Sequence, residues 1–395
     1  MNTHHVLIQP PRPALSARGA SATGLGTFPA TICALICLAF TLAIAGCSKP
    51  VDLKAKMIVG KKLVLSTTTV QTTETTREGA TNANPLVNTK FESTQYVEWL
   101  VSILSESEGG GRELELELSA AQTSSKAGDR TTVTFDSLAD QWNVATNVPA
   151  QVYRRLIGAK LAVGTDAAFT VTKSPPVAEF IPVIPASAPT TPSAALQRVL
   201  ATNQALANSF AQSRNAGQRL AGNLVTNLLS QNSLNEIVAT TIRGLPSKPV
   251  RPGDSWSARQ ESKDPSGSPA MVTTELKYTF KKWEMNGGHN CALFEFTGTT
   301  TLPDINSLLG GAASSSPAMQ EMLSKMNMKM EAGEMRGKAW FDPELGMFRE
   351  VVTEQAITQS MSMPGIQGAP AMNTKTVNQV KTSMKVAEAV GSAPR

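Results

Sequence analysis

The chain has 395 residues, with 36 Lys and Arg against 31 Asp and Glu and only 5% aromatic residues. A formal net charge of +5 scattered over this length makes no basic stripe, which argues against a nucleic-acid face. Three histidines and four cysteines leave little material for imidazole or thiolate chemistry, and the length allows one large or two ordinary domains.

Residues 1–28 carry Arg12 and Arg18 and no acidic residue, and an uncharged apolar run from about Phe28 ends in Ile44-Ala45-Gly46-Cys47. Basic lead, apolar run and small residues follow the order of a secretory signal. The lead-in is longer than usual, which leaves later starts at Val6, Leu7 or Leu15 open. The last four residues resemble a lipobox. That resemblance implies a lipoprotein signal peptide over 1–46, cleavage between Gly46 and Cys47, and acylation of the Cys47 thiol. The alternative is a transmembrane anchor with Lys49 as its far flank, but the run is at the short limit of a bilayer span. By the same resemblance, Ser48 in place of Asp implies the outer membrane, facing the periplasm of the cell envelope. The membrane, reached through the lipid on Cys47, is then the first expected partner.

Removal of 1–46 leaves 34 basic against 31 acidic residues and takes Cys33 and Cys37 away. With Cys47 lipidated, Cys291 is the one remaining thiol, so no intrachain disulfide is expected despite an oxidising destination. Cys291 opens an apolar stretch through Phe296 and reads as a buried strand residue.

Residues 47–60 read as a lipidated tether, loose from Ser48 to about Ala55. β-Branched residues dominate from Lys61 to Thr76 and predict a long strand. Residues 77–90 are polar and predict a loop. Tyr96–Leu104 fits a helix face and a strand face equally well, and its neighbours decide. Gly109-Gly110-Gly111 is a turn, and Glu113–Leu118 alternates three glutamates with three leucines, so a hairpin is expected over 94–122. A strand at 130–137, a short helix at Pro149–Leu156 and a hairpin turned at Gly164-Thr165-Asp166 complete a first antiparallel half, 61–173.

Residues 174–244 combine a proline-rich linker with a helical segment, where Leu196, Val199, Leu200, Leu206, Phe210, Leu220, Leu224 and Leu228 recur at helical spacing. In Pro246–Trp256, Pro252-Gly253 suits the centre of a type II turn leading into a strand at Trp256. Strands at Val272–Trp283 and Cys291–Thr300 follow, joined across Asn286-Gly287-Gly288. A Gly/Ser-rich insertion and a helix-like Met319–Lys329 precede a strand and tight turn at Gly337–Gly346, a return through Met347–Ser360, and a last strand from Thr374 to Ala387. The second half, 245–390, rhymes with the first in pattern (Gly158–Thr172 against Gly337–Thr353), which leaves an internal duplication open. The expected fold class is mainly β (α+β): two related curved antiparallel sheets or half-barrels with covering helices.

The lipobox, the Pro-x-x-Pro-Val-x-Pro-Gly-Asp-x-Trp stretch at 246–256 and the Gly-x-x-x-Phe-Asp-x-x-x-Gly stretch at 337–346 together resemble a family of bacterial envelope lipoproteins without an established activity. That resemblance supplies no functional residues. The long strands with a covering helix are also similar, more distantly, to the half-barrel carriers LolA and LolB, which implies an apolar concave face.

Little else points to catalysis. After signal removal His289 is the only histidine, it lies in a hairpin turn, and no nucleophile elbow precedes a helix. Glu113, Glu115 and Glu117 read as the solvated face of a strand, and Asp342 with Glu344 as turn chemistry. No phosphate loop and no cofactor are expected. The methionines carry more weight. Met319, Met322, Met326, Met328, Met330 and Met335 crowd one segment, and a flexible apolar patch for a greasy ligand would use Met319, Met322, Met326, Trp340 and Phe341. Soft thioethers also admit Cu(I), with Met326, Met328 and Met330 as the ligand set. The leading expectation is a non-enzymatic binding or scaffolding lipoprotein whose partner is an apolar ligand or an envelope protein. A purely structural lipoprotein and a Cu(I)-binding protein are the alternatives. Clickable palmitate should label the wild-type chain and leave Cys47→Ser unlabelled and unprocessed; an unlabelled, full-length wild-type product would remove the lipoprotein reading.

Overall fold

Alternation of apolar and polar residues over long, β-branched segments produces one antiparallel sheet. The computed structural model describes residues 49–78, 88–128, 130–139, 148–182, 216–263, 271–302, 327–363 and 372–389. Gly46, Cys47, Met319, Met322 and Met326 lie outside these residues. Pro50–Arg395 forms a compact unit separate from Met1–Lys49.

The strands of the first half are β1 (Lys62–Glu78), β2 (Asn88–Glu106), β3 (Arg112–Ala127), β4 (Arg130–Asp136), β5 (Lys160–Thr165) and β6 (Val171–Lys173). Those of the second are β7 (Ser255–Lys263), β8 (Met271–Asn286), β9 (His289–Thr301), β10 (Asn327–Ala332), β11 (Met335–Asp342), β12 (Met347–Met363) and β13 (Met372–Glu388). Among the described residues three α-helices accompany them: α1 (Val148–Leu156), α2 (Ala216–Leu229) and α3 (Gln231–Thr240). The strand order is β6-β5-β3-β2-β1-β13-β12-β11-β9-β8-β7, with β4 beside β3 and β10 beside β12.

The mainly β, antiparallel, helix-covered architecture is as expected, and its two halves merge into one curved sheet. They are joined by the pairing of β1 with β13, from Leu63↔Glu388 to Glu78↔Asn373. No local pattern announces a pairing between strands so far apart in the chain. The two rhyming hairpins hold different places: β5–β6 lies at one edge, whereas β11–β12 lies inside the sheet.

The 94–122 hairpin forms with Trp99, Val101 and Ile103 opposite Leu118, Leu116 and Leu114. The three leucines are 0%, 0% and 1% exposed, so the Glu-Leu alternation reports a half-buried strand. Arg251 accepts the Asp254 amide across Pro252-Gly253, and Gly253 has φ 99°, as a type II turn requires. The Asn286-Gly287-Gly288 hairpin also forms, with φ 58° and 86° at its glycines.

Three expectations change. Residues 51–57 are part of the fold: Val51 exchanges backbone hydrogen bonds with Val250, and Leu53 and Met57 are buried. Val51, Leu53, Ala55 and Met57 alternate with Asp52, Lys54 and Lys56, a short period-2 signal that the tether reading passed over. The turn after β5 falls at Asp166–Thr170, where the Asp166 carboxylate accepts the amides of Ala168 and Thr170. Finally, Asn327–Lys329 belongs to strand β10, against the helix expected over Met319–Lys329. Alternating methionines at 326, 328 and 330 suit a strand as well as Met322 and Met326 suit a helix, and pairing with β12 decides for the strand.

The core fills the space between the helices and the adjoining ends of the strands. Ala221, Val225 and Leu229 of α2 and Leu234 and Val238 of α3 join Leu63, Leu65, Trp99, Ile103, Phe280, Phe294, Phe341 and Phe348. The gap left between α3 and the sheet is only about 20 Å³, room for about one water. Leu116→Ala should therefore lower unfolding stability by about 2–5 kcal/mol in a urea titration, whereas Leu104→Ala, at a 55% exposed site, should change it by less than about 1 kcal/mol.

Candidate functional site

Beyond the helices the central strands run on. Leu65 and Met384 are the last buried residues of β1 and β13, yet β1 continues to Glu78, a further run of roughly 40 Å at about 3.3 Å per residue. Opposed residues of an antiparallel pair share a face, so the register identifies the helix-facing side of this extension. On β1 that side carries Thr67, Thr69, Gln71, Thr73, Thr75 and Arg77. Their partners on β13 are Met384, Thr382, Val380, Asn378, Thr376 and Thr374. On β12 the series continues as Val351, Thr353, Gln355, Ile357, Gln359 and Met361, and on β2 as Val97, Gln95, Ser93 and Phe91.

Along these strands beyond the helix-packed base, the described inward side chains include one charge, Arg77. The outward side carries charges of both signs at intervals, with Lys381–Glu354 at 2.8 Å, Lys385–Glu350 at 3.6 Å and Lys90–Glu74 at 3.0 Å. Inward polar groups bond to each other across strands: Thr73 donates to Asn378 at 2.6 Å, and the hydroxyls of Thr75 and Thr376 lie 3.3 Å apart. Apart from Arg77 the inward surface is thus neutral, made of methyls, thioethers, hydroxyls and amides, several of which bond to one another. Three buried polar atoms on it have no hydrogen-bond partner: Arg77 Nε, Thr123 Oγ1 and Thr374 Oγ1.

Of the residues expected to form the apolar site only Trp340 and Phe341 are described, and they do not share a face. Phe341 is fully buried against Phe348 in the core, while its neighbour Trp340 points outward and donates from Nε1 to Glu284 at 3.2 Å. Trp340 borders an outward groove of about 400 Å³, together with Val352, Arg336, Lys338, Glu295 and Glu354. Met330 is half-buried on β10, and Met328 is paired in register with Met361. Arg77 was missed because the polar run 77–90 reads as a loop, whereas β1 extends to Glu78.

The Asp342 turn is structural. One Asp342 oxygen accepts the amides of Glu344 and Leu345, and the other accepts Arg349 Nε at 2.6 Å. Burial raises the Asp342 pKa, but the hydrogen bond and charge of Arg349 and the two amides outweigh it and hold the group below the ordinary carboxylate value. His289 Nδ1 stands 3.7 Å from the same carboxylate, which is committed to Arg349. Cys291 is fully buried, and burial together with the Asp342 charge pushes its thiol up to about 11, an unreactive value. Gly337 lies where an added Cβ would overlap the Phe296 ring and the Val352 carbonyl oxygen, and Gly346 has φ 71° beside Lys56. The 337–346 motif is therefore explained by packing and turn geometry. Among the described residues, no group of three or more His, Cys, Asp or Glu is placed to hold a metal ion. No described helix is long and apolar enough to cross a membrane.

No family model matches the chain, and no curated protein matches it. Among solved structures the chain is similar to lipovitellin, described for its lipid–protein interactions, at 9% identity and TM-score 0.37. That match covers 86% of this chain and 27% of lipovitellin, so the chain spans about a quarter of its length. It is also similar to the outer membrane protein OprG of Pseudomonas aeruginosa, at 7% identity and TM-score 0.14, covering 86% of this chain and 100% of that one. OccK7 of the same organism matches at 8% identity and TM-score 0.22, covering 84% and 100%. With scores this low, none bears on what the chain binds.

Because its folded pKa is depressed, Asp342 contributes stability that is complete above the ordinary aspartate pKa of about 4 and is lost as pH falls through the lower folded value. Asp342→Asn should lower stability at pH 7 by about 3 kcal/mol and flatten the acid limb of a pH–stability curve, since Arg349 is left buried and unpaired. An unchanged acid limb would show that the pair does not set acid stability.

Proposed function

We propose that the chain is a lipid-anchored envelope protein that binds an apolar ligand, without catalysis, on the helix-facing side of the extended strands. One observation carries this reading: the segregation of charge across a sheet whose inward side chains are only half-buried. A sheet face meant for water carries charges, as the outward side does here. The inward side continues uncharged from Thr67 to Thr75, well past the last core residue, which suits contact with something equally uncharged.

The packed base favours a second reading. A gap of about 20 Å³ beneath α3 leaves no internal cavity for an acyl chain there, as a purely structural or interaction lipoprotein would have it. Binding, on the first reading, uses the strand extension and not the space under the helices.

The two readings separate by mass spectrometry of organic extracts from the Cys47→Ser chain, purified without detergent. Binding predicts co-purified lipid near one equivalent, reduced several-fold by Val380→Glu, which places a charge on the inward surface while leaving the base untouched. Lipid-free protein that also fails to take up a fluorescent fatty acid would leave the structural reading in place.

A further inference from the structure

Arg77 and Thr374 are direct cross-strand partners at the far end of the inward face. Both carry a buried polar atom without a hydrogen-bond partner, Arg77 Nε and Thr374 Oγ1. Among the described residues no ion pair or hydrogen bond engages the Arg77 side chain. Other partly buried arginines of this fold are satisfied. Arg349 bonds to Asp342 at 2.6 Å, Arg112 donates to the carbonyls of Met57, Gly110 and Gly111, and Arg243 makes two hydrogen bonds to Glu236. An uncompensated guanidinium on an otherwise neutral face is costly unless an anion completes it.

We propose that Arg77, with the Thr374 hydroxyl beside it, holds the anionic headgroup of a long-chain amphiphile whose hydrocarbon lies along the neutral face towards Met384. This deepens the apolar-ligand reading and rests on it. The face offers the required length. From Thr67 to Arg77 the strand spans roughly 33 Å, against about 30 Å for the hydrocarbon of a whole bilayer. The surface changes along that length as such a ligand would need. Val380, Ile357 and Met361 supply apolar contact among threonine methyl groups, and the single positive charge stands at the end away from the helices. A guanidinium donates to carboxylate or phosphate oxygens in the same planar fork, so the shared chemistry is an acyl chain carrying an oxyanion.

The test uses the full chain with Cys47→Ser and two fluorescent probes, cis-parinaric acid and its methyl ester. The wild-type surface should bind the acid at least about tenfold more tightly than the ester; Arg77→Gln should abolish that preference with ester binding unchanged, and Arg77→Lys should restore part of it. Inorganic phosphate should displace the acid only weakly, because the chain contributes most of the affinity. Equal binding of acid and ester by the wild type, or an acid preference that survives Arg77→Gln, overturns the headgroup assignment while leaving the apolar face intact. Phosphate competing as well as the fatty acid shows a plain anion site and also overturns it. Binding of neither probe removes the apolar-ligand reading itself, and binding that appears only after deletion of 303–326 assigns the face to the chain's own segment.

Discussion

The curved sheet depends on one short helix, α3. At one edge, Gln231 donates to the Val171 carbonyl at 2.6 Å and Asn235 accepts the Val171 amide at 3.1 Å, so helix side chains complete the open side of β6. In the middle of the sheet, Phe348 donates its amide to the Thr241 carbonyl at the helix exit. Towards the other edge, Trp256 of β7 donates from its indole to the Gly244 carbonyl, just past the helix, and stacks on Tyr278. An antiparallel sheet of this width would otherwise present two unpaired edges and a twisted apolar face. Helix α3 bonded to β6, its C-cap bonded to β12 and the chain just after it bonded to β7 together limit how far the sheet wraps, and Ile237 and Val238 fill what they enclose.

That constraint divides the sheet into two physical regimes. Near α3, aromatic rings pack edge to face, as Phe294 does on Phe280 and Phe348, and stability comes from burial. Past Leu65 the same strands lose that source and rely on long antiparallel ladders, threonine pairs across strands, and ion pairs outside. Each such contact contributes only about 0.2–1 kcal/mol. Strands of sixteen residues or more accumulate enough of them to persist without a second described layer.

Much of the local structure was legible from residue patterns. Glu113–Leu118, Pro252-Gly253 and Asn286-Gly287-Gly288 each state their geometry in a few residues, because alternation and positive φ are local demands. What escaped was non-local. The joining of Leu63 to Glu388 and the strand state of Asn327–Lys329 are both settled by partners far along the chain. The candidate site shows the same division. The threonine run of β1 was read as strand, but its neutrality as a surface exists only once β2, β12 and β13 are laid beside it in register. Trp340 and Phe341 are adjacent in sequence and lie on opposite faces, so a patch drawn from neighbouring residues joined groups that the pleat separates.

A sheet with one solvated face and one neutral face is half of a two-layer structure. At the base α3 and α2 supply the other layer, and the outcome is a filled core. On β1, β2, β12 and β13 past Leu65 and Met384 no described side chain is buried as deeply as those of the base, although the inward residues up to Arg77 follow the same rule of exclusion for charge. A ligand bound on that side, as proposed, would act in the position of a second layer. Its binding free energy would add to the weak ladder energy of the strands beneath it, since a partner that binds only the folded form stabilises that form by mass action. On the proposed reading, stability of the extension and occupancy of its inward face are one linked equilibrium, which would give strands that continue so far beyond the core a reason to exclude charge from one side.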